Sequence, residues 1–408
     1  MTLGDSAISG EAGRWAGNTN DSPSRVDALG STAYWDTPTG EAIPGCHRSK
    51  AAQAHIGGGV LSANLACSGA RTYTTGTGSG QDFKPGIDFY SDASGRVGQA
   101  LALERYARTR NVKAVVLMIG ANNYGFGAIV ERCVTNWLTS PSWWKNYCSD
   151  DADMTSRFTA TRQAQETANV RDALLRVRQA MTNAGYSTSQ YTIIAQTYWT
   201  PIPRSSGFRY AETGWTRQSV GGCGVWNRDA NWAHDVVVAA MNGSVRNGAA
   251  QAALPNLVVL DLQNALDGRR LCETGVGLLE EAGIASWQSA GAVDRTEWVS
   301  QIRTATTIFG PYQLQEGQPR QLLGPAGDAQ LPAAGLQQRR RSRRQLPARR
   351  QRRQRLPRAA DGAVLESVRK RRRRSALSTT EMLENAIASP AMSGFSRPAA
   401  ASGIAATL

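Results

Sequence analysis

Short, mostly apolar runs separated by long polar stretches set the pattern of this chain. They are residues 112–119 (VKAVVLMI), 191–198 (YTIIAQTY) and 257–262 (LVVLDL). The first is preceded by charge, is rich in β-branched residues and closes on Gly120, which fits a buried parallel strand better than an amphipathic one. Residues 1–3 read as the end of a further strand. Val170, Leu174, Val177 and Met181 recur at helical spacing, and Gly185 follows as a stop signal. A second helix is expected around residues 234–245. Residues 17–40, rich in Gly, Ser, Thr and Asn, read as loop. Strands alternating with helices predict an α/β fold of three layers, a parallel sheet sandwiched by helices. In such sheets the working residues gather beyond the carboxyl ends of the strands. Ser6 and Asn122 both stand there, each shortly after a predicted strand.

The pattern stops at Gly317. Residues 317–408 hold 19 Lys plus Arg against 5 Asp plus Glu, which accounts for the whole formal charge of +14 and leaves residues 1–316 neutral. Gln, Arg, Pro, Ala and Leu dominate this tail, with basic runs at 339–344 and 369–374 and no sustained periodicity. It is expected to be a disordered extension of a single folded domain covering residues 1–316. Any argument from charge to a nucleic-acid partner concerns the tail alone. Its one aromatic, Phe395, leaves no stacking platform, so salt-sensitive stickiness to polyanions is expected and specific nucleic-acid recognition is not.

All six cysteines, Cys46, Cys67, Cys133, Cys148, Cys223 and Cys272, lie in the neutral body with no Cys-x-x-Cys pair, which gives zinc-ribbon and thioredoxin chemistry no support. An even count predicts three disulfides and an oxidising compartment. Pairing in chain order is the simplest connectivity, although spacing does not prove it. No apolar run approaches the ~20 residues that span a bilayer. No leader is visible either, so the true start is expected upstream, with part of the first strand missing.

The chemistry lies in three short segments: 4–10 (GDSAISG), 64–70 (NLACSGA) and 120–122 (GAN). A serine hydroxyl needs a base to take its proton and donors aimed at the developing oxyanion. Gly-Asp-Ser alone is a weak signal, since a surface turn or a helix N-cap explains most single instances. The three segments in this order resemble the SGNH (GDSL-type) serine hydrolases, over essentially all of residues 1–316 and closest to their secreted, cysteine-bearing actinobacterial branch. That resemblance implies a flavodoxin-like sheet, Ser6 as nucleophile, and an oxyanion hole built from the N–H groups of Ser6 and Gly69 and the side-chain amide of Asn122. It implies no metal or organic cofactor. Asn123 stands where the family often has Asp, a change expected to matter little for catalysis.

The family's final motif is an acidic residue, two others, then the catalytic histidine. Glu316 stands at the acidic position, where it would orient that histidine, but the base position holds Pro319. The three histidines present, His47, His55 and His234, lack this context, and His47 and His234 read as surface or packing residues. With permissible codons, reading one base later from Pro319 gives a histidine followed by a string of helical pattern, and an Arg/Pro/Ala-rich tail is what GC-rich DNA yields out of frame. A frameshift between Glu316 and Pro319 is therefore expected.

These readings predict an extracellular carboxylic ester hydrolase working through an acyl-enzyme, impaired in this chain by the missing base. The alternatives are a non-catalytic protein that retains the ester groove, and polyanion binding through the tail. Trp137, Trp143, Trp144, Trp199, Trp215, Trp226 and Trp232 could line an acyl or sugar groove, although core packing is the default for most of them. The ester, whether on lipid, glycan or small molecule, is not legible.

Overall fold

A computed structural model describes residues 1–302 other than 13–16, 27–28 and 58. The basic tail, Glu316 and Pro319 lie outside the described residues. The strands are β1 (Thr2–Gly4), β2 (Ala114–Met118), β3 (Thr192–Gln196) and β4 (Leu257–Leu260). They form one parallel sheet in the order β1-β2-β3-β4. The principal helices are α1 (Ser6–Ser9), α2 (Gln99–Ala107), α3 (Phe126–Thr139), α4 (Ala160–Asn183) and α5 (Ala239–Ala252). This is the α/β class that the alternating pattern predicts.

Beyond β1 the chain adds a fifth line of backbone. Thr2 N–H donates to Ala63 O, Leu65 N–H to Thr2 O and Cys67 N–H to Gly4 O, so residues 63–67 run parallel along the outer edge of β1. From β1 the path therefore goes first to one side, at 63–67, and then to the other, at β2. The carboxyl ends of β1 and β2 meet at that reversal, the usual ligand position in open α/β sheets.

Helix α4 packs between α2 and α5, and α5 reaches β3 and β4. Val170, Leu174, Val177 and Met181, the residues at helical spacing, are all buried on α4. Each such side chain contributes about 1.5–3 kcal/mol through the water it leaves. In β2 and β3 burial alternates: Val115, Leu117, Ile193 and Ala195 are buried, whereas Val116 and Ile194 are only half-buried. At the edge, Val258, Val259 and Leu260 of β4 are 37, 42 and 44 % exposed. The helix expected at 234–245 is longer than its pattern suggests. It runs from Asn227 through a six-residue π segment, Ala233–Val238, into α5.

All six cysteines are paired, in chain order: Cys46–Cys67, Cys133–Cys148 and Cys223–Cys272. The first closes the loop between α1 and the edge segment, and so fixes residue 67 beside β1.

Candidate active site

Gly4 turns the chain out of β1. Its φ of +138° is a conformation that side chains rarely adopt, and a Cβ there would lie 1.9 Å from the Met118 carbonyl oxygen of β2. That contact has a purpose, because the next residue donates Asp5 N–H to the same carbonyl at 3.1 Å. Buried Gln99 brackets Gly4 from α2, accepting its N–H at 2.8 Å and donating to its carbonyl at 2.9 Å. The turn is thereby held by three hydrogen bonds to two neighbours before the helix begins. Asp5 caps α1 by accepting Ala7 N–H at 3.1 Å, and Ser6, half-buried, is the first helical residue.

The second segment arrives with the edge backbone. Ser68 N–H donates to Cys46 O and Ala70 N–H to Cys67 O, a tight turn with Gly69 at φ +79°. A Cβ on Gly69 would make only ordinary contact with the Lys84 stem at 3.4 Å, so it is the backbone angle that favours glycine. The third segment follows β2: Ala121–Asn123 form one 3-10 turn, and the Asn122 amide donates to Ala70 O at 3.0 Å. An amide carries two N–H donors, so this bond fixes the side chain while using only one of them. The 4–10, 64–70 and 120–122 segments thus meet at one end of the sheet, joined by direct hydrogen bonds.

A buried network that sequence reasoning does not reveal ties the serine turn to the asparagine turn. Tyr198, just past β3, donates its hydroxyl to Asp5 Oδ2 at 2.5 Å and accepts Ala121 N–H at 3.1 Å. Burial pushes the Asp5 carboxyl up to about 7, against the opposing pull of the Tyr198 and Ala7 hydrogen bonds. Burial, then the Asp5 charge, holds the Tyr198 phenol well above its ordinary value, so it remains a donor.

A folded value near 7 against an ordinary 3.8 means that the native state keeps a proton which the unfolded chain has already released. The contribution of Asp5 to stability is then greatest below pH 3.8, falls as pH rises through the interval from 3.8 to about 7, and is flat above it. The loss amounts to roughly 4 kcal/mol. Asp5→Asn should flatten that slope, as read from urea midpoints at successive pH values. A variant with the wild-type slope would show that Asp5 does not titrate there.

Glu11 is a second residue without a local signal. Its N–H donates to Ser6 O at 3.2 Å, one carboxylate oxygen accepts Ser68 Oγ at 2.9 Å, and the other lies 2.9 Å from His47 Nδ1. Tyr34 stacks on the His47 ring with centroids 4.6 Å apart. His47 is therefore no surface residue. It is 9 % exposed and belongs to the shell around the serine turn. His55 Nδ1 pairs with Ser62 Oγ at 2.9 Å and His234 Nε2 with Ile202 O at 2.8 Å, and burial lowers the pKa of both rings. Asn123 serves packing: buried, it accepts Thr72 N–H and donates to Thr72 Oγ1 and Glu166.

The tryptophans divide by position. Trp137 and Trp226 are buried, Trp199 and Trp232 half-buried, and Trp143, Trp144 and Trp215 exposed. Among the described residues no group of three or more His, Cys, Asp or Glu could hold a metal ion, and no helix is long and apolar enough to cross a membrane.

No family model and no curated protein sequence matches the chain. Among solved structures it is similar to the extracellular lipase from Streptomyces rimosus, at 15 % identity and a TM-score of 0.34, over 73 % of this chain and 91 % of that one.

Proposed function

We propose that this chain carries the serine site of a secreted, SGNH-type carboxylic ester hydrolase, impaired because its C-terminal catalytic histidine is missing. The observation that carries this reading is the meeting of Ser6, Gly69 and Asn122 segments at the sheet's switch point, with the Asn122 amide fixed on Ala70 O. In the intact enzyme a histidine, oriented by Glu316, takes the Ser6 proton as Oγ attacks the ester carbonyl. The N–H groups of Ser6 and Gly69 and the Asn122 amide stabilise the tetrahedral oxyanion. The alcohol leaves with the proton, and water then releases the acid from Ser6 and restores the hydroxyl.

The organisation proposed is a hydrolase domain over residues 1–316 followed by a tail, 317–408, read out of frame. Three disulfides support an extracellular setting. A second reading, a binding protein that keeps the ester groove without turnover, is favoured by the proline at position 319.

Asn122→Ala tests the oxyanion site, in a chain whose terminal histidine has been restored. Loss of one oxyanion donor should lower kcat for p-nitrophenyl acetate about 10²–10³-fold with little change in KM. An unchanged kcat would remove Asn122 from the oxyanion site.

A further inference from the structure

Helix α3 ends in a turn that presents two indoles to solvent. Trp143 and Trp144 are 80 and 73 % exposed, among the most exposed large apolar side chains described. The turn is built to hold them. Trp144 N–H donates to Pro141 O at 2.9 Å, Ser140 Oγ donates to Asn136 O at 2.5 Å and accepts Asn146 N–H at 3.1 Å, and the Cys133–Cys148 disulfide closes the loop. A third indole, Trp215, 57 % exposed, packs edge-on against Trp137 at the same end of α3. Leaving such rings in water is costly unless something covers them.

We propose that the Trp143–Trp144 turn is an anchor for a zwitterionic phospholipid surface. Indole is an amphipathic ring that favours the headgroup boundary, where its body is dry and its N–H is wet. The neighbouring charges are paired: Lys145 with Glu212 at 2.7 Å, Arg132 with Asp151 at 3.5 Å, and Arg228 with Asp150. A rim of closed ion pairs offers little attraction to a polyanion, but it does not oppose a neutral interface. The two rings are inclined at 67° with centroids 6.3 Å apart, so they do not form the flat platform on which a sugar chain would stack. Two indoles bury at most about 300–500 Å², well short of the ~800 Å² per partner of a stable protein interface. Lipid insertion needs only the tip.

This anchor does not depend on the ester-hydrolase reading. Helix α3, 14 residues and about 21 Å long, starts just after the Asn122 turn and ends at Thr139, where the indole-bearing turn begins. The test is sedimentation of the full chain with phosphatidylcholine vesicles at about 0.5 M NaCl, where screening silences the basic tail. Wild type should co-sediment, and Trp143→Ser/Trp144→Ser should bind at least ~10-fold more weakly. Brominated phosphatidylcholine should also quench wild-type tryptophan fluorescence, a readout that needs no variant. The proposal is overturned by equal binding of both chains, by no binding or quenching of wild type, or by a double variant that instead loses affinity for insoluble glycan or loses self-association.

Discussion

A chain whose reading frame is shifted by one base from codon 319 should hydrolyse p-nitrophenyl acetate at least about 10³-fold faster than the chain as written. Serine without its base retains only what the oxyanion donors and binding supply, and removal of one member of such a triad costs about 10⁴–10⁶ in turnover. Ser6→Ala in the restored chain should return the rate to the level of the unrestored one, because the pair acts as a unit. In the chain as written the same substitution should change little. Sequencing codons 316–320 is the companion measurement. If no frame there encodes a histidine followed by a helical string, or if the restored chain is no faster, the frameshift account fails. Equal rates would also favour the binding-protein reading.

Gly4→Ala should cost roughly 3 kcal/mol or more, and the variant is expected to be recovered poorly or to unfold at much lower urea. The new methyl would meet the Met118 carbonyl oxygen at 1.9 Å, and that atom cannot retreat because it accepts Asp5 N–H and belongs to β2. The φ of +138° adds strain for any side chain. Gly243→Ala is the matched control, since a Cβ there meets nothing within 4 Å and the residue lies inside α5. Alanine in a helix interior should stabilise by up to about 1 kcal/mol relative to glycine. The opposite signs separate a steric requirement at the serine turn from general intolerance of substitution. A Gly4→Ala chain with the wild-type urea midpoint would show that the turn is not held as described.

Much of the framework was legible because local patterns carry it. The runs at 112–119, 191–198 and 257–262 contain β2, β3 and β4, and Val170, Leu174, Val177 and Met181 mark the buried face of α4. Placing Ser6 and Asn122 just past strands needed no tertiary information. The edge segment 63–67 was not legible as sheet, because Ala-Asn-Leu-Ala-Cys has neither alternation nor β-branching and is held there by backbone hydrogen bonds to β1. Helix α3 was obscured by the glycines at 120, 125 and 127 that crowd its start.

The residues that brace the site left no sequence signal. Gln99 meets Gly4 across 95 positions and Tyr198 meets Asp5 across 193, and no periodicity or motif connects partners so far apart. Glu11 belongs to no motif and no periodic run, yet it holds His47 and Ser68 beside the serine turn. The motifs of this chain lie on the three segments that meet at one end of the sheet. The groups that hold those segments appear only when the chain is folded.

The most direct test of the serine site is covalent labelling of the histidine-restored chain with a p-nitrophenyl phosphonate ester, followed by peptide mass spectrometry. A phosphonyl adduct on the Ser6 peptide, lost in Ser6→Ala and formed much more slowly in Asn122→Ala, is the predicted result. Labelling at another residue, or hydrolysis that survives Ser6→Ala at full rate, would contradict the assignment of Ser6 as nucleophile.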